Sequence, residues 1–201
     1  MASSAPFSLL MLLSLIGCSS TERLILSPQD ASTMTIASSN AKAYSPRLDA
    51  EQALSRLVEL IRGTRAIGEI SAENLHAAFG VPFNENGGRF GFAEQLSADW
   101  WSSLEWDPTR SLGPQFSLTF VPVDPDRHAP ATAICGLDFQ RFATELQHAG
   151  FERETYRTEH SRVIHDRFQR DGLSVTVYIR GESDASPEKI AHACIEMIHV
   201  Q

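Results

Sequence analysis

Arg170-Asp171-Gly172-Leu173-Ser174-Val175-Thr176-Val177-Tyr178-Ile179 decides the fold class. Asp-Gly is a preferred two-residue hairpin dipeptide, because its backbone accepts the positive φ that the turn demands. After it, Val175, Val177 and Ile179 alternate with Ser174, Thr176 and Tyr178. A period of two places the apolar set on one face of a strand and the polar set on the other. The stretch predicts an antiparallel hairpin, covered on one side, with strands near 162–169 and 173–180.

Upstream, the pattern predicts a strand near 151–158 and, before it, a helix. Asp138 is its cap, Leu137 and Phe142 form a hydrophobic staple, and Phe139, Phe142, Ala143 and Leu146 supply the apolar face. Gly150 stops that helix. Further back, Phe90 and Phe92 alternate with smaller residues, and so do Phe116, Leu118 and Phe120. Within 99–107, Trp100, Leu104 and Trp106 share one face, whereas Asp99, Ser103 and Glu105 share the other. These segments predict three more strands. A helix begins at Ser71, carries Leu75, Ala78 and Phe79, and ends at Gly80. An earlier one opens with the capping box Asp49-Ala50-Glu51-Gln52, continues through Leu54, Leu57, Val58 and Ile61, and ends at Gly63. Residues 123–133, with prolines 122, 125 and 130 at hand, read as a connecting loop. Ser186-Pro187-Glu188 opens a segment with Ile190, Ala193, Cys194, Met197 and Ile198 at helical spacing, whose last residues, Ile195 to Val200, fit a strand equally.

The expected fold class is therefore α+β: two successive units, each a helix plus a three-stranded antiparallel sheet, at 48–122 and 134–201. The order helix–strand–strand–strand recurs near 71–121 and 138–180 without sequence identity between the halves. Ile70-Ser71-Ala72-Glu73-Asn74-Leu75 through Phe79-Gly80-Val81-Pro82, together with that order, weakly resembles units of the β-lactamase-inhibitor-protein-like fold. The resemblance implies tandem binding units of the kind found in secreted inhibitors, or single ones as in outer-membrane assembly lipoproteins. Fold analogy alone does not fix function.

The chain starts with a different signal. Residues 7–16 form an apolar run interrupted only by Ser8 and Ser14, too short to cross a bilayer but suited to the core of a secretory signal. The segment Met1–Pro6 carries no Lys or Arg. Leu15, Gly17 and Cys18 resemble the lipobox of bacterial lipoproteins. That resemblance implies a signal peptide at 1–17, cleavage before Cys18, and acyl chains on Cys18 that anchor the protein to a membrane, at about 0.8 kcal/mol per buried methylene. An ordinary secretory signal, or a buried apolar segment with a chance cysteine, is the alternative. Ser19 and Ser20, in place of an Asp after the lipidated cysteine, imply the outer membrane, facing the periplasm. Residues 18–47, rich in Ser, Ala and Thr, then read as a disordered tether.

Three cysteines are present. With Cys18 lipidated, Cys135 and Cys194 remain as a pair, and an oxidising compartment makes them a disulfide. Closing a loop of about 60 residues contributes roughly 4 kcal/mol in the chain-entropy account. Two buried free thiols or a metal site are the alternatives. His192 is the one histidine near either cysteine, so a metal is disfavoured.

A net charge of −8 excludes the basic surface that nucleic-acid binding needs. No Gly-x-Ser-x-Gly elbow and no glycine-rich phosphate loop is present; Gly87-Gly88 reads as a lone pair in a loop. No catalytic residue, metal ligand or cofactor is assigned. Trp101 falls on the polar face of its strand, near the acidic Glu94, Asp99, Glu105 and Asp107. It is expected either at a partner interface or under the tether or first helix. Trp101, Asp99 and Glu105 are thus the candidate partner-binding residues. The favoured role is a non-enzymatic protein-binding module, either an inhibitor or immunity protein against a toxin or an envelope-assembly subunit. The alternative is an envelope hydrolase using carboxylates or the cluster Glu159-His160 with His165-Asp166.

Overall fold

A computed structural model describes residues 44–125, 129–159, 162–181 and 192–201. The expected signal peptide, Cys18 and most of the expected tether fall outside the described residues, as does His160.

Three helices and eight strands follow one another: α1 (Ala50–Gly63), α2 (Ala72–Phe79), β1 (Asn84–Asn86), β2 (Arg89–Gln95), β3 (Trp100–Asp107), β4 (Gln115–Pro122), α3 (Phe139–His148), β5 (Glu152–Arg157), β6 (Val163–Arg170), β7 (Leu173–Gly181) and β8 (Ala193–Val200). The helices start where the sequence caps them. Asp49 and Gln52 form a complete capping box on α1. The Ser71 hydroxyl accepts from the Asn74 N–H, and Asp138 Oδ1 accepts from the Arg141 N–H at 2.8 Å. Gly80 closes α2 in the left-handed conformation, φ 64°, where a Cβ would be disfavoured.

The strands join into one antiparallel sheet, ordered β1-β2-β3-β4-β8-β7-β6-β5. This corrects the expected pair of separate three-stranded sheets. Each half is a helix followed by a four-stranded meander, and the two fourth strands pair with each other. Across that seam Phe116 faces Val200 and Leu118 faces Ile198. The ambiguous last segment is thus a strand. The expected loop at 123–133 contains a 3-10 turn, Ala131–Ile134, with Ala131 and Ile134 buried. Both sheet edges are polar: β1 is Asn-Glu-Asn, and β5 reads Glu-Arg-Glu-Thr-Tyr-Arg. Such edges resist pairing with another chain.

The apolar core lies on one face of the sheet. Leu54, Leu57 and Ile61 of α1, Leu75 and Phe79 of α2, and Phe142 and Leu146 of α3 are fully buried. They join Trp100, Leu104, Phe116, Leu118, Phe168, Val175, Val177 and Ile198 in one cluster. Fully burying a side chain of this size contributes about 1.5–3 kcal/mol. Trp100 Nε1–H donates to Pro130 O at 2.6 Å, which fastens the loop after β4 over the core. Arg170, at the end of β6, donates to Ile61 O in the last turn of α1, to Thr64 O just after it and to Ala149 O just after α3, and its guanidinium stacks over Phe151. One side chain thereby adds hydrogen bonds to carbonyls at the ends of two helices.

The Asp171-Gly172 turn has a second constraint. Gly172 has φ +75°, and a Cβ there would stand 2.7 Å from Arg65 O. Gly172→Ala is expected to lower unfolding stability by more than about 1 kcal/mol, read from urea denaturation. Gly63→Ala, in a helix with open space around it, is expected to raise stability by about 0.4–1 kcal/mol in the same assay.

Candidate functional site

Two regions carry chemistry beyond the core. The first is the sheet face that the helices leave open. Trp101, Ser103 and Glu105 of β3 point away from Trp100, Leu104 and Trp106, and their burial alternates accordingly. Trp101 is 41 % exposed and stands in register with Val121 of β4, itself 44 % exposed. Of the two covers considered for Trp101, α1 is excluded, because it packs on the opposite face.

The acidic ring expected around Trp101 is only partly there. The Glu94 carboxylate accepts from the backbone N–H groups of Arg47 and Leu48, both at 2.8 Å, so it anchors the entry to α1. That contact also shows the last residues of the expected tether held by the fold. Arg89 lies 3.9 Å from Glu105 and 3.4 Å from Asp107, offsetting part of their charge. Asp99 sits in the turn before β3, its carbonyl accepting from the Val123 N–H at 2.9 Å. Beside β3, the small side chains of Gly91 and Ala93 leave a hollow of about 590 Å³ lined also by Asn84, Arg89, Ser103 and Glu105.

Across the other half of this face runs an aromatic row. Tyr156 stacks on His165 at 4.6 Å, His165 meets Tyr178 at 5.3 Å, and Tyr178 meets His199 at 5.8 Å. Burial, aided by the charge of Arg110, pushes the His199 imidazole below its ordinary value. His165 and Asp166 do not form a pair: Asp166 is buried on the core face, where Arg153 Nε donates to it at 2.8 Å and the Thr155 hydroxyl adds another bond. Neighbouring strand residues face opposite ways, so His165 and Asp166 cannot work on one substrate.

The second region surrounds the disulfide. Cys135, just after the 3-10 turn, is bonded to Cys194 of β8, with Cα atoms 4.8 Å apart. His192 places Nδ1 3.6 Å from Cys135 Sγ, and its Nε2 lies 3.0 Å from Asp138 Oδ2. Asp138 is also the cap of α3, so one carboxylate serves a helix end and a histidine. Burial pushes the Asp138 carboxyl upward, but the hydrogen bond from His192, the Arg141 N–H and the charge of His192 outweigh it, and the group titrates below its usual range. Sequence reasoning named Asp138 only as a cap and His192 only as a neighbour of Cys194. Their meeting depends on β8 lying beside the start of α3.

Comparison with known proteins gives no match among family models, curated proteins or solved structures. Among the described residues, no helix is long and apolar enough to cross a membrane.

A carboxyl with a lowered folded-state value stabilises the fold above its unfolded value, about 3.9, and that contribution disappears as pH falls through the folded value. Asp138→Asn keeps an efficient cap while removing the charge. The variant is expected to be less stable than wild type at neutral pH, with the gap closing toward pH 3. Urea midpoints across that range measure it, and a gap independent of pH would contradict the assignment.

Proposed function

We propose that this protein is a lipid-anchored binding module of a bacterial envelope. In this reading acyl chains on Cys18 hold it at the outer membrane, facing the periplasm. The helix-free face of the sheet holds or inhibits another envelope protein or a toxin. One observation carries the reading: Trp101 and Val121 stand exposed as cross-strand neighbours on a face that no described element covers. A rigid exposed tryptophan on a sheet is a typical anchor for a protein partner. Glu105, Asp107 and Arg89 form a polar rim beside it, as interfaces commonly have.

The two helix-plus-meander halves also support the proposed kinship with tandem inhibitor units. The disulfide suits the oxidising compartment that a lipobox implies. An envelope hydrolase using His160 and His165 is the weaker reading, because Asp166 is committed to Arg153 on the opposite face.

Two measurements test the proposal. Radiolabelled palmitate is expected to enter the full chain and to be lost in Cys18→Ser, which then leaves the membrane fraction. A photo-crosslinking residue at position 101, installed in the full chain in cells, is expected to trap one discrete partner. The same residue at exposed Ser55 of α1 is expected to trap none. Trp101→Ala should abolish partner binding while changing unfolding stability by no more than about 0.5 kcal/mol. Equal trapping at both positions would refute the interface.

A further inference from the structure

The disulfide has neighbours that a simple staple does not use. Cys135 Sγ, Cys194 Sγ and His192 Nδ1 all lie within 4.8 Å of one another. Tetrahedral zinc, with Zn–S near 2.3 Å and Zn–N near 2.0–2.1 Å, sets its sulfur and nitrogen ligands about 3.6 Å apart and two sulfurs about 3.8 Å apart. Cys135 Sγ and His192 Nδ1 are already 3.6 Å apart. Only the Cys194 sulfur, now bonded to Cys135, has to move once that bond is reduced.

The histidine is also oriented for the task. Its Nε2 is held by Asp138 Oδ2 at 3.0 Å, leaving Nδ1 toward the sulfurs. A carboxylate on the far nitrogen of a ligating histidine fixes its tautomer and raises its basicity. Cys194 is fully buried and Cys135 nearly so, whereas the His192 side chain is 34 % exposed. A cation held by the three has a fourth position for water to fill, as an open zinc site does.

We propose that Cys135, Cys194 and His192 form a site for a thiophilic divalent cation such as Zn²⁺ when the disulfide is reduced, with Asp138 as the residue that positions the histidine. The electrons come from a dithiol, protein-borne or small. The dithiol is oxidised to its own disulfide, the Cys135–Cys194 bond breaks, and each sulfur receives one electron and one proton. The cation then displaces both thiol protons, which pass to solvent, and binds two thiolates and the neutral imidazole. Either state ties β8 to the turn that precedes α3: a covalent bond when oxidised, a metal clip when reduced.

Co²⁺ serves as the spectroscopic probe, added to the full chain before and after reduction with a phosphine under anaerobic conditions. One Co²⁺ per reduced chain, with sulfur-to-cobalt charge-transfer absorption that Zn²⁺ abolishes, is expected; the oxidised chain should show none. Asp138→Asn is expected to weaken binding by about 10–100-fold. His192→Ala should weaken it more and change the ligand-field bands. If reduction unfolds the chain, Zn²⁺ should restore its circular dichroism in wild type and not in His192→Ala. The proposal fails if the reduced chain gives no thiolate–cobalt absorption, if His192→Ala binds as tightly as wild type, or if an unfolded reduced chain does not refold with Zn²⁺.

Discussion

The pairing of β4 with β8 is the contact on which the rest of the molecule depends. Each half can hydrogen-bond its own meander, but only this seam makes one sheet of two. Its core-facing pairs, Phe116 with Val200 and Leu118 with Ile198, are completely buried. Antiparallel ladders alone are weak; stability comes from the apolar face they present to a second layer. Here that layer includes α1, which belongs to neither repeated half and packs against both α2 and α3. Arg170 then fastens the ends of α1 and α3 to the sheet. The disulfide reinforces the same seam from the second half, because Cys194 lies in β8.

Much of this was legible wherever the cause is local. Caps at Asp49, Ser71 and Asp138, the stop at Gly80 and the turn at Asp171-Gly172 are written in single residues whose backbone chemistry allows few alternatives. The strands from Phe90 to Phe120 and the one from Leu173 to Ile179 follow from alternation that a half-covered sheet imposes. What escaped has physical reasons. Strand β8 carries a register shift opposite Tyr178 and Ile179, which sets the buried Cys194 and Ile195 side by side and spoils the period of two. Strand β1 has no apolar residue at all. Its turn is nonetheless written in Asn86-Gly87-Gly88, where both glycines have positive φ, a hairpin signal.

The candidate sites divide in the same way. Trp101 on the polar face was legible from alternation, and so were its exposed surroundings. The commitments of Glu94, Arg89 and Asp166 were not, since each partner lies on another strand or at the entry to α1. The His192–Asp138 contact spans the second half of the chain, and no spacing rule predicts it. A count of cysteines suggested the Cys135–Cys194 bond; nothing in the count indicated a histidine and a carboxylate beside it. The two faces of the sheet thus do different work. One is closed by helices and fixes the fold. The other is covered by none of the described elements and carries hydroxyls, histidines and the exposed Trp101 in place of a core.

The order of strands along the chain has a consequence for biogenesis. As the polypeptide emerges, β1 to β4 can assemble early, but β4 then stands at a bare sheet margin displaying Phe116, Leu118 and Phe120. Its permanent neighbour is the last of the eight strands to appear. Throughout that interval the nascent chain presents an unpaired hydrophobic margin of the kind that invites misassembly. A molecule built this way matures only after nearly all of it has been delivered, so its assembly is coupled to completed delivery rather than to the stepwise appearance of its parts.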